Sequence, residues 1–188
     1  MSLEEAIARR RSVRDFTPES ISQSQLSQIL WAAQGITGTS FRLRSVPSAG
    51  ATYPLETFVI CGKNGIEDID EGIYRYNIDN HSLTLHYKED VRLELAGAAL
   101  GQEYICQAPV DIVICALYER TTSGYGSRGE RYVHMEVGHS GQNIYLQATA
   151  LGLATVAIGA FHGEEVRQIL RLDKQNKPLY IMPLGRPA

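Results

Sequence analysis

Val110-Asp111-Ile112-Val113-Ile114-Cys115-Ala116-Leu117 is the stretch that orders the rest of the chain. An apolar run of this length, rich in β-branched residues, reads as a central strand with both faces covered. Working outward, residues 55–61 form a second such run. Residues 72–77 and 83–87 alternate around Asp79-Asn80-His81 and read as a hairpin. Residues 153–159 and 179–184 complete the strands. Helical spacing marks residues 3–11, where Leu3, Ala6, Ile7 and Arg10 share a face. It also marks 22–35, with Ser22 as N-cap, a stripe of Leu26, Ile29, Leu30 and Ala33, and Gly35 as the stop. The Ala-rich segment 91–106, the long segment 131–152 ending at Gly152, and 163–170 are read as further helices. Residues 36–54 and 120–129 read as loops, both rich in small polar residues and glycine. A loop as long as the first is usually functional. With no internal repeat and no composition break, residues 1–188 are read as a single α+β domain with a central mixed or antiparallel sheet surrounded by helices.

Composition narrows the classes of function. At 188 residues, with 44% hydrophobic and 21% charged side chains, the chain buries enough surface to fold without disulfides. A net charge of -3 argues against a general nucleic-acid binder, which needs a basic stripe. Cys61, Cys106 and Cys115 are odd in number and sit in apolar runs, so they read as buried thiols in a reducing compartment. No metal-ligand spacing stands out. Glu4 and Glu5 near the start argue against a signal peptide, and no apolar run approaches membrane-spanning length. The expected location is cytoplasmic.

Four segments carry chemistry. Arg10-Arg11-Ser12-Val13-Arg14 concentrates cations on a mildly acidic chain. Guanidinium forks beside a hydroxyl suit a phosphate. Pro47-Ser48-Ala49-Gly50-Ala51-Thr52-Tyr53-Pro54 offers small side chains that let a flat ring approach the backbone. Ile158-Gly159-Ala160 at a strand end can present an amide to an acceptor. Arg186, near the C-terminus, can add charge to a phosphate site. Gly124-Tyr125-Gly126-Ser127-Arg128-Gly129 matches a dinucleotide-binding pattern. It lies too far from the preceding strand and lacks the downstream acid, so it is read as a loop. His139 is expected to be internal. Ser12, Ser48 and Ser140 lack a hydrolase context.

In order and spacing these segments resemble the nitroreductase family, and within it the SagB-type dehydrogenase branch. The resemblance extends through Leu30-Trp31-Ala32-Ala33-Gln34-Gly35, Pro47 to Pro54, Gly72-Ile73-Tyr74-Arg75-Tyr76, Ala99-Leu100-Gly101-Gln102, Ala108-Pro109, Glu136-Val137-Gly138-His139 and Gly152-Leu153. It implies a nitroreductase-like fold and a homodimer with FMN at the subunit interface. Arg10, Arg11, Ser12 and Arg14 would hold the phosphate and ribityl chain. Pro47, Ser48, Ala49 and Gly50 would reach the flavin from the partner subunit. Gln102 would touch the ring or ribityl chain, and Ile158, Gly159 and Ala160 would flank the ring. The implied activity is that of an FMN-dependent oxidoreductase. A reduced donor, NADH or NADPH, passes a hydride to the flavin, and a small acceptor takes the electrons. Phe41, Tyr53, Tyr125 and Phe161 are candidates to shape the substrate side, with Tyr125 the candidate catalytic acid. The sequence departs from the family in two places. The basic tail of many members is absent, leaving Arg186 as the C-terminal candidate. The Lys-Tyr pair of azoline-oxidising members reads Gly124-Tyr125. That weakens the rival reading as a thiazoline or oxazoline dehydrogenase of peptide maturation. A second rival is a non-catalytic flavin-binding or storage protein.

Overall fold

A computed structural model describes residues 1–38 and 41–188. In chain order the elements are α1 (Leu3–Arg9), α2 (Gln23–Gln34), a 3-10 turn (Ala49–Ala51), β1 (Leu55–Cys61), β2 (Gly72–Asn77), β3 (Ser82–Tyr87), α3 (Arg92–Ala98) and α4 (Tyr104–Gln107). They continue with β4 (Val110–Ala116), α5 (Glu119–Tyr125), α6 (Arg128–Ala150), β5 (Ala154–Thr155), α7 (Gly163–Ile169) and β6 (Lys177–Gly185). The six strands form one sheet in the order β3-β2-β1-β4-β6-β5. Every pairing between them is antiparallel. The parallel component allowed by the expectation of a mixed sheet is confined to single bridges, Ser12 with Thr155 and Ile21 with Ile66.

Both faces of the sheet are covered, which is why β1 and β4 are buried at every position. Leu55, Val59 and Cys61 of β1 and Val110, Ile112 and Ile114 of β4 pack with Leu26, Leu30, Val133, Val137 and Ile144 of α2 and α6. The other parity, Phe58 and Ile60 with Val113 and Cys115, packs with Leu95, Ile105, Val166 and Leu170. Side chains alternate across a strand, so a strand between two helical layers loses its polar positions and reads as an unbroken apolar run. Asp111 is the exception on β4 and is fully buried.

Three expected elements change. The segment 91–106 is two short helices, because Leu100 and Gly101 turn to φ 61° and 75°; a helix cannot pass through left-handed backbone. The expected loop 120–129 is mostly helix: α5 runs through Gly124 and Tyr125, and α6 begins at Arg128. The glycine pattern there is therefore no strand-to-helix turn. The expected strand 153–159 reduces to β5 and a bridge from Ile158 to Ile181. Cys61 and Cys115 are buried, whereas Cys106 is half-buried. His139 is exposed on α6, against the expectation of an internal histidine. Among the described residues no helix is long and apolar enough to cross a membrane.

Candidate active site

The arginine-rich segment is strapped to the open edge of the sheet. α1 ends at Arg9, and Arg10 caps it by donating its backbone N–H to the Ala6 carbonyl. Beyond that the chain runs extended. Val13 donates to the Thr155 carbonyl at 3.1 Å, and Thr17 donates to the Arg186 carbonyl at 3.0 Å. These bonds lay residues 11–17 alongside β5 and the end of β6. The Arg10 guanidinium lies over the Tyr145 ring, 5.1 Å from its centroid. The Tyr145 hydroxyl pairs with Ser12 Oγ at 2.9 Å and accepts the Ala157 N–H at 2.7 Å. Arg14 stands 5.9 Å from the Tyr104 ring centroid. Arg11 folds back and donates to the Ala8 and Arg10 carbonyls.

Arg9 is paired with Glu5, but among the described residues Arg10, Arg11 and Arg14 meet no carboxylate. Three adjacent cations without an acid are costly unless solvent or an anion meets them. Arg186 lies against Glu19 at 3.2 Å, so its charge is already shared.

The second wall is the end of the β5 segment. Ile158 is buried and exchanges backbone hydrogen bonds with Ile181. Gly159 and Ala160 are exposed, and their amides donate to no carbonyl among the described residues. A Cβ added to Gly159 would meet nothing closer than 3.9 Å, so this stretch is bare backbone with space above it. Gln102 ties it down, donating to the Ala160 carbonyl at 3.0 Å and to the Ala99 carbonyl at 2.7 Å. Its Oε1 accepts from the Tyr104 hydroxyl. Tyr104 therefore links Arg14 to Gln102, and Tyr145 links Arg10 and Ser12 to Ala157. The structure brings Arg10, Ser12, Arg14, Gln102 and the Ile158–Ala160 stretch together through two tyrosines. Neither Tyr104 nor Tyr145 was singled out in the sequence, where a tyrosine on a helix reads as core. Phe161 is half-buried and packs on the α3–α7 side of the core.

The Pro47–Pro54 turn lies elsewhere. Ser48 Oγ accepts the Tyr53 N–H at 2.9 Å, and the Thr52 hydroxyl pairs with that of Thr121 at 2.8 Å. Pro47 and Gly50 are exposed, and Ser48 and Ala49 are half-buried. Gly50 has φ 59°, and a Cβ there would lie 2.6 Å from the Tyr125 hydroxyl. Position 50 thus needs glycine both for its backbone and for the approach of Tyr125, which also packs edge-on against Tyr132. Beneath the turn sits the buried Glu136 of α6. Burial raises its carboxyl above the usual range, opposed by Ser48, by the Arg44 charge and by Gln34. Glu136 and Tyr145 are nine residues apart on α6, about 14 Å along the axis. The turn and the arginine segment therefore occupy different stations of one helix. Phe41 is 82% exposed.

The donor set fits a phosphorylated flavin. It joins the guanidinium groups of Arg10 and Arg14, which meet no carboxylate among the described residues, and a serine hydroxyl at one end to the Gly159 and Ala160 amides at the other, with Arg11 adjacent but folded back on the Ala8 and Arg10 carbonyls. The nitroreductase family model matches residues 7–186. The chain belongs to the nitroreductase family. A nitroreductase-type protein of Methanocaldococcus jannaschii is 48% identical over 99% of this chain and 91% of its own length. FMN reductase [NAD(P)H] of Bacillus subtilis is 27% identical over 95% of this chain, which spans 63% of that protein. A nitroreductase-type crystal structure from Ralstonia eutropha superposes with a TM-score of 0.87 at 26% identity, covering all of this chain and 84% of that one. The fold of this nitroreductase is thereby that of its relatives, with the antiparallel sheet and the helices on its two faces.

Proposed function

We propose that this nitroreductase is an FMN-dependent oxidoreductase, acting as a single-domain homodimer and moving electrons from NADH or NADPH to a small acceptor. The observation that carries the reading is that, among the described residues, Arg10, Arg11 and Arg14 meet no acid partner beside Ser12 and Tyr145. The family membership and the likeness to an FMN reductase support the same cofactor. When bound, FMN accepts and returns a hydride. The protein's own residues hold and tune it. Arg10, Arg11 and Arg14 neutralise the phosphate, and Ser12 adds a hydroxyl fixed by Tyr145. The Gly159 and Ala160 amides would donate to the electron-rich edge of the ring. Pro47, Ser48, Ala49 and Gly50, about 14 Å away along α6 in the same protomer, serve the partner's site. Tyr125 lies against Gly50 and carries a proton toward the acceptor.

Azoline dehydrogenation is the weaker reading, since Gly124 stands where those enzymes carry a lysine. The test is anaerobic mixing with NADH and NADPH in turn, followed by an acceptor. Loss of the flavin absorbance with at least one nucleotide, and its return with a nitroarene, is the expected course. A flavin that stays oxidised with both nucleotides would make the protein a flavin store. Turnover only of azoline peptides would move it to the rival.

A further inference from the structure

A second cationic site lies on the far side of the Pro47–Pro54 turn. Arg44, Thr52, Tyr53, Glu56, Arg75 and Arg120 line a polar depression of about 380 Å³. Glu56 is buried at its base. Its Oε2 accepts from Arg75 at 2.8 Å, and its Oε1 lies 2.6 Å from Arg120. Arg120 also donates to the Tyr53 carbonyl at 3.0 Å. Arg44 stacks on the Tyr53 ring, 4.4 Å from its centroid, and donates to Gln34 at 2.9 Å. Among the described residues Arg44 meets no carboxylate at ion-pair distance. Glu136 acts on it from within, its carboxyl raised by burial and lowered by Ser48, Arg44 and Gln34. Asp79 at the rim is held by Arg42.

Three arginines therefore face Glu56, which Arg75 and Arg120 already engage, and Asp79, which Arg42 holds. Each guanidinium has five N–H donors, and the contacts above use one or two nitrogens of each fork. Glu56 and Tyr53 fix the orientation of the forks, and the single charge of Glu56 is shared between Arg75 and Arg120. Half-burial makes the Arg44 charge costly; Glu136 and Glu56 offset part of that cost and Arg120 adds to it, so an arriving anion lowers it further. A guanidinium already stacked on an aromatic ring adds a flat surface for an aryl group.

We infer that this depression binds the acid group of an organic anion, so that the electron acceptor of this enzyme is an acidic molecule. The inference rests on the proposed flavin chemistry for what the anion does, but not for where it binds. Tyr53 donates its N–H to Ser48, so the depression shares a wall with the turn assigned to the partner's flavin. A ligand anchored by its acid group at Arg44 keeps its other end at that turn.

The test is calorimetric or NMR titration of the protein as isolated with 4-nitrobenzoate and with 4-nitrobenzamide, which share a ring and differ in charge. The acid is expected to bind about tenfold more tightly than the amide, with the gap narrowing at high salt. Arg44→Gln and Arg75→Gln are each expected to cut the preference to under about threefold. Arg75 is exposed, so its variant serves even where loss of Arg44 harms folding. Equal affinity for acid and amide in the parent would overturn the site. So would a preference unchanged in Arg75→Gln and in folded Arg44→Gln, which would place the anion on the Arg10–Arg14 segment. Flavin absorbance is read in the same samples. Colourless protein that keeps the acid preference fails the flavin reading alone, and yellow protein without the preference fails this one alone. Inorganic phosphate and adenosine 2'-phosphate, titrated alongside, distinguish a simple anion from the tail of a nucleotide donor.

Discussion

Asp111 shows at the scale of a single residue how tertiary context overrides what a run of residues suggests. It sits among Ile112, Val113 and Ile114, and both of its carboxyl oxygens are buried without a hydrogen-bond partner among the described residues. The nearby Arg92 is occupied by Asp90 and by the Ala108 carbonyl. Burial holds the Asp111 carboxyl well above the usual range; Arg92 opposes this and Asp90 adds to it. A carboxyl raised on folding binds more protons in the native state. Stability therefore falls as pH climbs from the unfolded value toward the folded one. Asp111→Asn removes the titration. It is expected to stabilise the protein by about 1–3 kcal/mol at pH 8, with the gap closing toward pH 4. Thermal unfolding of both proteins across that range checks this, and a constant gap would contradict it. The arginines give the complementary case. Arg10→Ala and Arg14→Ala are each expected to weaken FMN binding by about 1.5–3 kcal/mol, measured by fluorescence titration. Affinity equal to the parent in both variants would remove these side chains from the site. Their charge was legible in the sequence. Their lack of acid partners was not, because it depends on where Glu5 and Glu19 fold.

At the scale of the element, local chemistry was legible where it is self-contained. Ser22 and Gln25 form a reciprocal capping box at the start of α2, and Ser22→Ala is expected to cost about 1 kcal/mol in chemical denaturation. No change in the midpoint would show the cap to be idle. β1 and the start and end of β2 stand where the alternation and the apolar runs placed them. α5 was illegible because Thr121-Thr122-Ser123-Gly124 has poor helix propensity. Packing supplies what propensity lacks: Thr121 is buried, and a Cβ on Gly129 would fall 2.8 Å from the Thr122 Cα. That close approach of α5 to α6 carries Tyr125 to Gly50. The break between α3 and α4 was hidden in an Ala-rich run, since nothing local announces that Leu100 takes a positive φ. That break sets Gln102 on the Ala160 carbonyl, so a misread helix concealed a site contact.

At the scale of the molecule, the sheet order joins distant segments. β6 pairs with β4 on one side and β5 on the other, and the arginine segment extends that edge. Strand existence could be read from pattern, but this order could not, because β1 with β4 and β4 with β6 pair across several dozen residues. Leu3, Ile7, Trp31, Leu43 and Met135 remain exposed, large apolar side chains that association would cover. Sedimentation at micromolar protein is expected to give a dimer. A monomer that still retains FMN would contradict a site shared between protomers. FMN is expected to be held by the arginine segment and the bare Gly159 backbone. The most direct test is the visible spectrum of folded, purified protein before and after incubation with FMN and removal of the excess. Flavin bands at stoichiometric content are expected, and folded protein that stays colourless after that incubation would contradict the account.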